Sequence, residues 1–415
     1  MPLLKISRHG LKSLKKYLLL LLIALIPNGL TECSKIRNWK KIDPFPTERI
    51  FTDLEKITIG KKAAVLDSIF TRLQLKQGFN GCVLYGEKGR IIYERAFGFA
   101  NFKSKERLTV QSSFQLASVS KMFTAMAVMI LNEKGKLNYD DAVNKYIKGF
   151  PYDGVTIRHL LNHRSGLPEY MHMTDELWNQ ELPLRNDDMI SLMISQHLPA
   201  GFSPDNGFNY CNTNYALLAS IVERVSGKSF DVFAKENIFD PLGMKYTFIY
   251  HLQNDSLVPD YVTVGVQGHK ARRVPVPERN HYQNGVMGDK GVYSTVHDLF
   301  LWDQALYHES LVSNQALHEA FNGGSPKSVR RTKNYGFGWR IREDRDSTVF
   351  HFGWWKGFRS FFIRDIAQEK TIIILSNMNH TVSADEWWKI IDDHRFELGP
   401  VCEYPRKKDQ GKKRH

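Results

Sequence analysis

Ten consecutive residues, Met122 to Leu131 (MFTAMAVMIL), carry no charge and would be apolar on every side of a helix. A surface helix keeps a polar face, so a helix without one belongs in the interior. A chain of 415 residues is long enough to bury it within a large core. Lys121 stands at the head of this segment, three residues after Ser118, where a cation must find partners or lose its charge.

Composition narrows the classes further. The chain is 42% apolar and 24% charged, close to the globular average, which excludes disorder as its main state. A mean hydropathy of -0.37 with one long apolar run excludes a polytopic membrane protein. The net charge of +13 suggests nucleic acid until it is located. Residues 1–41 hold nine Lys/Arg against one Glu, and residues 403–415 hold six against two acids. The body between them is therefore nearly neutral and presents no basic groove for a phosphate backbone. No nucleic-acid partner is expected.

The N-terminus reads as a targeting segment. Lys5, Arg8, Lys12, Lys15 and Lys16 precede an uncharged run from Tyr17 to Pro27. A basic stretch followed by an apolar one of this length resembles a secretory signal. It falls short of the about 20 apolar residues of a spanning helix. Cys33, in Leu30-Thr31-Glu32-Cys33-Ser34, resembles the lipidated cysteine of a bacterial lipobox, although Glu32 departs from the small residue expected there. Lipoprotein, soluble secreted protein and uncleaved anchor all remain open. Each places the body outside the cytoplasm, in the periplasm or cell envelope, with membrane attachment only through the N-terminus.

Along the chain, 1–33 reads as signal, 34–59 as linker, 60–399 as the folded domain and 400–415 as a basic, disordered tail. Gly81 to Gly86 and Arg90 to Gly98 form a predicted hairpin about Glu87-Lys88-Gly89. Residues 157–235 look mainly helical, clearest at Asn214 to Val225, and 252–285 read as a long loop. Strand signals return at Thr348 to Phe352, Arg359 to Arg364 and Thr371 to Leu375, before a Trp-bearing helix from Ala384 to Phe396. Strands at both ends with helices between predict an α+β fold whose sheet draws on both termini. Cys82, Cys211 and Cys402 show no metal-like spacing, and Cys82 and Cys211 sit in apolar surroundings that suit buried free thiols.

Three motifs could carry chemistry. The first is Ser118-Val119-Ser120-Lys121, where a desolvated amine shares a helical face with a hydroxyl and can take its proton. Alone, Ser118 would pass for a helix cap. The second is Tyr210-Cys211-Asn212. A tyrosine beside a cation such as Lys121 can act as a base, and Asn212 can orient the lysine or the substrate. The third is His351-Phe352-Gly353-Trp354, where glycine admits a close backbone approach and the Trp354 N–H could join that of Ser118 in an oxyanion hole. There is no G-x-S-x-G, Walker A or H-E-x-x-H motif. His163, His251, His269 and His297 stand singly, so no metal is predicted.

In this order the three motifs resemble the serine β-lactamase and penicillin-binding protein superfamily, in its class C β-lactamase, D,D-peptidase and esterase branch. That branch carries S-x-x-K, Y-x-N and K-T-G or H-x-G. Leu160 to Tyr170, Asp240 to Met244, Gly288 to Leu299 and Tyr335 to Trp339 are similar to the same branch. The resemblance spans about residues 60–395. It implies an antiparallel sheet flanked by helices beside an all-α lobe, with the cleft between them and no cofactor. It also implies Ser118 as acylated nucleophile, Lys121 and Tyr210 as shared base, Asn212 as positioning residue, and Tyr170 lining the cleft.

The departure is His351, where many relatives have a lysine whose fixed charge meets a substrate carboxylate. A histidine there is mostly neutral at pH 7. The expected substrate is therefore a small molecule or peptide with an ester or amide bond and no obligatory carboxylate at that point. D,D-peptidase, D-aminopeptidase or β-lactamase activity on wall peptides or antibiotics is the alternative. A sensor that acylates once without turnover is the reading from another class.

Overall fold

A computed structural model describes residues 53–251, 259–267, 276–277, 280–324, 334–342, 344–345, 347–379 and 384–392. The signal, Cys33, the basic tail with Cys402 and much of the 252–285 loop lie outside these residues. Within that loop the described parts are a short strand pair, Val266–Gln267 with Val276–Pro277, and a 3-10 turn at Tyr282–Gly285.

The helix α1 (Asp53–Gln77) begins inside the stretch assigned to the linker, so the folded domain starts before residue 60. Its buried positions Lys62, Leu66, Phe70 and Leu73 recur at helical spacing, and Ile59 packs against the same core. The apolar stripe thus reaches back into the supposed linker.

Six antiparallel strands form the central sheet: β1 (Gly81–Glu87), β2 (Arg90–Phe97), β3 (Arg340–Ile341), β4 (Thr348–Trp355), β5 (Phe358–Asp365) and β6 (Lys370–Ser376). Their spatial order is β3-β4-β5-β6-β1-β2, so the two N-terminal strands complete a sheet begun near the C-terminus. The β1–β2 hairpin turns at Lys88 and Gly89, both at positive φ, which suits the twist of a two-residue turn.

Both faces of the sheet are covered, which explains the unbroken apolar runs. Val83, Tyr85, Ile363, Ile372 and Ile374 face α1 and the helix α7 (Ala384–Asp392), where Phe70 stacks on Trp387 at 5.6 Å. Cys82, Leu84, Phe362, Ile373 and Leu375 alternate with them and point into the second core. That core contains α2 (Lys121–Glu133), buried from Lys121 to Leu131 as its pattern requires. Further helices surround it: α3 (Tyr170–Leu177), α4 (Asn186–Gln196), α5 (Asn212–Ser226) and α6 (Val296–Ala305). Phe123 of α2 meets Trp302 of α6 at 4.6 Å and Phe239 at 5.4 Å. Arg364 of β5 ties the sheet to α6 through a fully buried pair with Asp303 at 2.5 Å. No helix among the described residues is long and apolar enough to cross a membrane. The expected α+β fold is the one observed.

Candidate active site

A 3-10 turn, Ala117–Ser120, leads into α2 and carries Ser118. Ala117 is buried at φ +49°, an unfavourable backbone region for a residue with a side chain, and strain of this kind collects at functional sites. Ser118 is half-buried in a surrounding that is otherwise buried, so its hydroxyl stays within reach of the cleft. It is not the cap of α2. That position falls to Ser120, whose hydroxyl accepts from Val292 N at 3.1 Å instead of capping the helix.

The turn lies against β4 because residue 353 is glycine. A Cβ there would stand 2.2 Å from the Leu116 carbonyl oxygen and 2.2 Å from Ser360 Oγ. Any side chain would push the strand away from the turn that holds Ser118. Gly353 is thus a packing requirement that lets β4 lie against the Leu116 and Ala117 backbone just before Ser118.

Lys121 is fully buried, and its three N–H bonds are all accounted for. Nζ donates to Asn212 Oδ1 at 2.8 Å, to the Asp289 carbonyl at 2.9 Å and to Ser118 Oγ at 3.3 Å. Asn212 is held in turn by Glu169, whose Oε2 accepts from the Asn212 backbone N–H at 2.8 Å and from Nδ2 at 3.1 Å. Because a carboxylate only accepts, this bond fixes Nδ2 towards Glu169 and Oδ1 towards Lys121. Burial raises the Glu169 carboxyl above the usual range, and the bonds from Asn212 and Met171 work against it.

Tyr210 presents its ring to two cations, Lys121 Nζ at 5.0 Å and the Arg340 guanidinium at 4.8 Å from the centroid. Its hydroxyl is buried and bonds to none of the described residues. The expected bases therefore come together, although no bond joins Tyr210 to Ser118.

His351 is sealed inside the protein. Nδ1 lies 2.9 Å from the Phe352 carbonyl, which can only accept, so Nδ1 carries the proton and Nε2 accepts from Tyr335 OH at 2.9 Å. Burial, then the charges of Arg340 and Lys121, hold its pKa well below the ordinary histidine value. The expected neutrality is present. The expected role as a direct substrate ligand is not, since the side chain is 0% exposed and both nitrogens are engaged. Trp354 is the opposite case. It is 65% exposed, with the Arg359 guanidinium 4.2 Å above its ring.

Tyr170 also departs from expectation. It is 1% exposed, so it supports the cleft from beneath instead of lining it. Its hydroxyl donates to Asp289 Oδ2 at 3.1 Å and accepts from Lys290 Nζ at 2.5 Å. Burial and the Asp289 charge push it well above the usual phenol value, which keeps it a neutral donor. This cluster anchors the segment whose carbonyl meets Lys121.

Glu169, Asp289, Lys290 and Arg340 were not foreseen. All four lie in or beside stretches already singled out, and Asp289-Lys290 stands between two glycines in apolar surroundings, a signal that adjacent charges there are paired. Cys82 and Cys211 are buried and free, as expected. His163 is a buried core residue whose Nδ1 accepts from Cys211 N at 3.2 Å. No cluster of metal-binding side chains occurs among the described residues.

Comparison with known proteins agrees with this geometry. The family model described as Beta-lactamase matches residues 66–396. Penicillin-binding protein 4* of Bacillus subtilis (strain 168) is 40% identical over 326 residues, covering 75% of this chain and 71% of that protein. A D-aminopeptidase of Brucella anthropi is 27% identical over 273 residues, and this chain spans only 50% of its length. Among solved structures, the penicillin binding protein from Bacillus halodurans is similar with a TM-score of 0.67 at 25% identity, covering 77% of this chain and 97% of that one.

Proposed function

Since the chain belongs to the beta-lactamase family and is a serine hydrolase, we propose that it cleaves an ester or amide bond through an acyl-enzyme on Ser118, with Lys121 as base. The arrangement around Lys121 Nζ carries this reading. Asn212 Oδ1 and the Asp289 carbonyl can only accept, so they take two N–H bonds and leave the third direction to Ser118 Oγ. When Lys121 acts as base, the proton it holds towards Ser118 Oγ has first to leave, and the same direction then offers the nitrogen lone pair to the serine hydroxyl without any side-chain movement. Ser118 Oγ attacks the substrate carbonyl carbon as its proton passes to Nζ. The oxyanion so formed is met by the backbone N–H groups of Ser118 and Trp354. Collapse breaks the bond to the leaving group, which takes the proton back, and water repeats the sequence on the acyl-enzyme. Tyr210, with a hydroxyl committed to no described residue, passes the proton to the leaving group.

One observation favours a second reading, a peptide or antibiotic carrying a carboxylate, as in D,D-peptidase, D-aminopeptidase or β-lactamase chemistry. Arg340 is half-exposed beside Tyr210 and forms no ion pair with a described residue. Its charge is therefore available near the place where a lysine is absent. The basic and apolar N-terminus supports export to the cell envelope, with Cys33 as the lipid anchor. Metabolic labelling with a radiolabelled fatty acid, lost in Cys33→Ser, tests the anchor.

Intact-mass measurement with a fluorophosphonate and, separately, a penicillin tests the chemistry. A stoichiometric adduct that disappears in Ser118→Ala is expected. No adduct with either reagent overturns the nucleophile assignment. One equivalent of ester product followed by silence would indicate a sensor that does not turn over. Arg340→Met should lower kcat/KM for a substrate with a free carboxylate while sparing its amide, and equal losses on both would remove the second reading.

A further inference from the structure

His163 belongs to the Leu160 to Tyr170 stretch and is fully buried, at a φ of +57°. Burying an imidazole is costly unless its nitrogens are answered, and here only one is. Nδ1 lies 3.2 Å from the Cys211 backbone nitrogen and 3.1 Å from Asn214 Nδ2. A backbone N–H can only donate, so Nδ1 carries no proton. The Asn214 amide agrees with this, because Ser165 Oγ donates to its Oδ1 at 2.6 Å and leaves Nδ2 facing the ring. The proton therefore sits on Nε2, which is buried and bonds to none of the described residues. Burial, and then the charge of Lys121, hold the pKa well below the ordinary histidine value, which keeps Nδ1 open as an acceptor. A leucine or phenylalanine would fill the same space without an unanswered N–H, so packing alone does not account for a histidine here.

What the histidine grips is Tyr210. Its backbone carbonyl accepts from the Asn209 N–H at 3.0 Å, while its Nδ1 accepts from the Cys211 N–H. The residues on either side of the tyrosine are thus bonded to a single residue, 48 positions before Cys211. Between these two bonds the His163 and Tyr210 rings lie 4.3 Å apart, tilted by 39°. Tyr335 stands edge-on to both, 4.6 Å from His163 and 5.9 Å from Tyr210. The phenol itself bonds to none of the described residues, so its direction is set by what holds its backbone and its ring.

We propose that His163 is a positioning residue for Tyr210. Its unprotonated Nδ1, acting through the Cys211 N–H, fixes the phenol that hands the proton taken up by Lys121 to the leaving oxygen, as the bond from that oxygen to the carbonyl carbon breaks. The role rests on the hydrolase reading and adds to it a residue that is sealed from substrate.

Comparison of kcat/KM for trifluoroethyl butyrate and para-nitrophenyl butyrate, with the full chain, tests the assignment. Nitrophenolate departs without a proton, whereas trifluoroethoxide needs one. His163→Ala and His163→Phe both lack the acceptor, and either folded variant suffices. Each should lower kcat/KM about tenfold for the trifluoroethyl ester and less than about twofold for the nitrophenyl ester. His163→Asn puts an amide oxygen near the place of Nδ1, suits a positive φ and should recover most of the loss. In a Tyr210→Phe background, His163→Ala should cost nothing further, because its effect runs through that hydroxyl. Equal losses on the two esters, losses that multiply with that of Tyr210→Phe, or no recovery in His163→Asn would make His163 a packing residue and overturn the proposal. Wild-type turnover of the nitrophenyl ester alone overturns it as well, since no proton then reaches the leaving group. Turnover of neither ester removes the hydrolase reading itself, and this role with it.

Discussion

Replacing His351 by glutamine should reduce a pH dependence of stability that the fold imposes. His351 and His163 are both fully buried, and burial, with Lys121 and Arg340 nearby, keeps each well below the ordinary value of 6.5. In the unfolded chain each titrates near 6.5. The unfolded state then binds more protons, so stability that is complete above pH 6.5 is lost as pH falls through that value towards the folded pKa. Between pH 7.5 and 5.5 the loss is about 1.4 kcal/mol for one such histidine and about 2.8 kcal/mol for two. Raised carboxyls such as Glu169 and Asp303 act in the opposite sense, but they are shared by both proteins and cancel in the comparison. Glutamine keeps an N–H for the Phe352 carbonyl and an acceptor for Tyr335. Urea unfolding of wild type and His351→Gln at the two pH values gives the difference directly. The variant should lose about 1.4 kcal/mol less. An identical loss would mean that His351 titrates normally, and the argument that position 351 offers substrate no charge would fail with it.

Three further outcomes follow from the geometry. Gly353→Ala should destabilise the protein by about 1–3 kcal/mol through the contacts with Leu116 and Ser360, and slow ester turnover about 100-fold as the oxyanion donors separate, read by thermal melting and initial rates. Glu169→Ala frees the Asn212 amide and should lower kcat about tenfold with KM little changed, whereas Glu169→Gln, which can still accept from the Asn212 backbone, should recover most of it. In a Cys33→Ser, Cys402→Ser background, Cys82 and Cys211 should resist Ellman's reagent until urea unfolds the chain, because burial pushes both thiols up, Cys211 to about 12.

Much of this was legible in the chain because it depends on local pattern. A lysine at the head of an apolar helix had to be partnered, and it is. The apolar runs of β1, β5 and β6 were readable as strand, although only the structure shows that both faces are covered. What escaped depends on contacts between distant residues. Glu169 meets Asn212 across 43 positions and Lys121 meets the Asp289 carbonyl across 168, with no periodicity to announce either. Tyr170 is a cleft residue by the family resemblance, yet burial depth is set by which helix comes to rest above it. For His351 the chemistry of the side chain predicted neutrality, while its enclosure by Tyr335 required the tertiary structure. The start of α1 was missed because polar residues mask a sparse apolar stripe.

The strand order also sets a timetable. Gly81 pairs with Ser376, almost three hundred residues later, and β4, which carries Gly353 and Trp354, is itself among the last strands to be synthesised. A growing chain can therefore form the helices around Lys121 well before the strand that completes the catalytic centre exists. Long-range pairings of this kind fold late and leave strand edges open in the interval. A site assembled in this order stays incomplete until nearly the whole domain has been made.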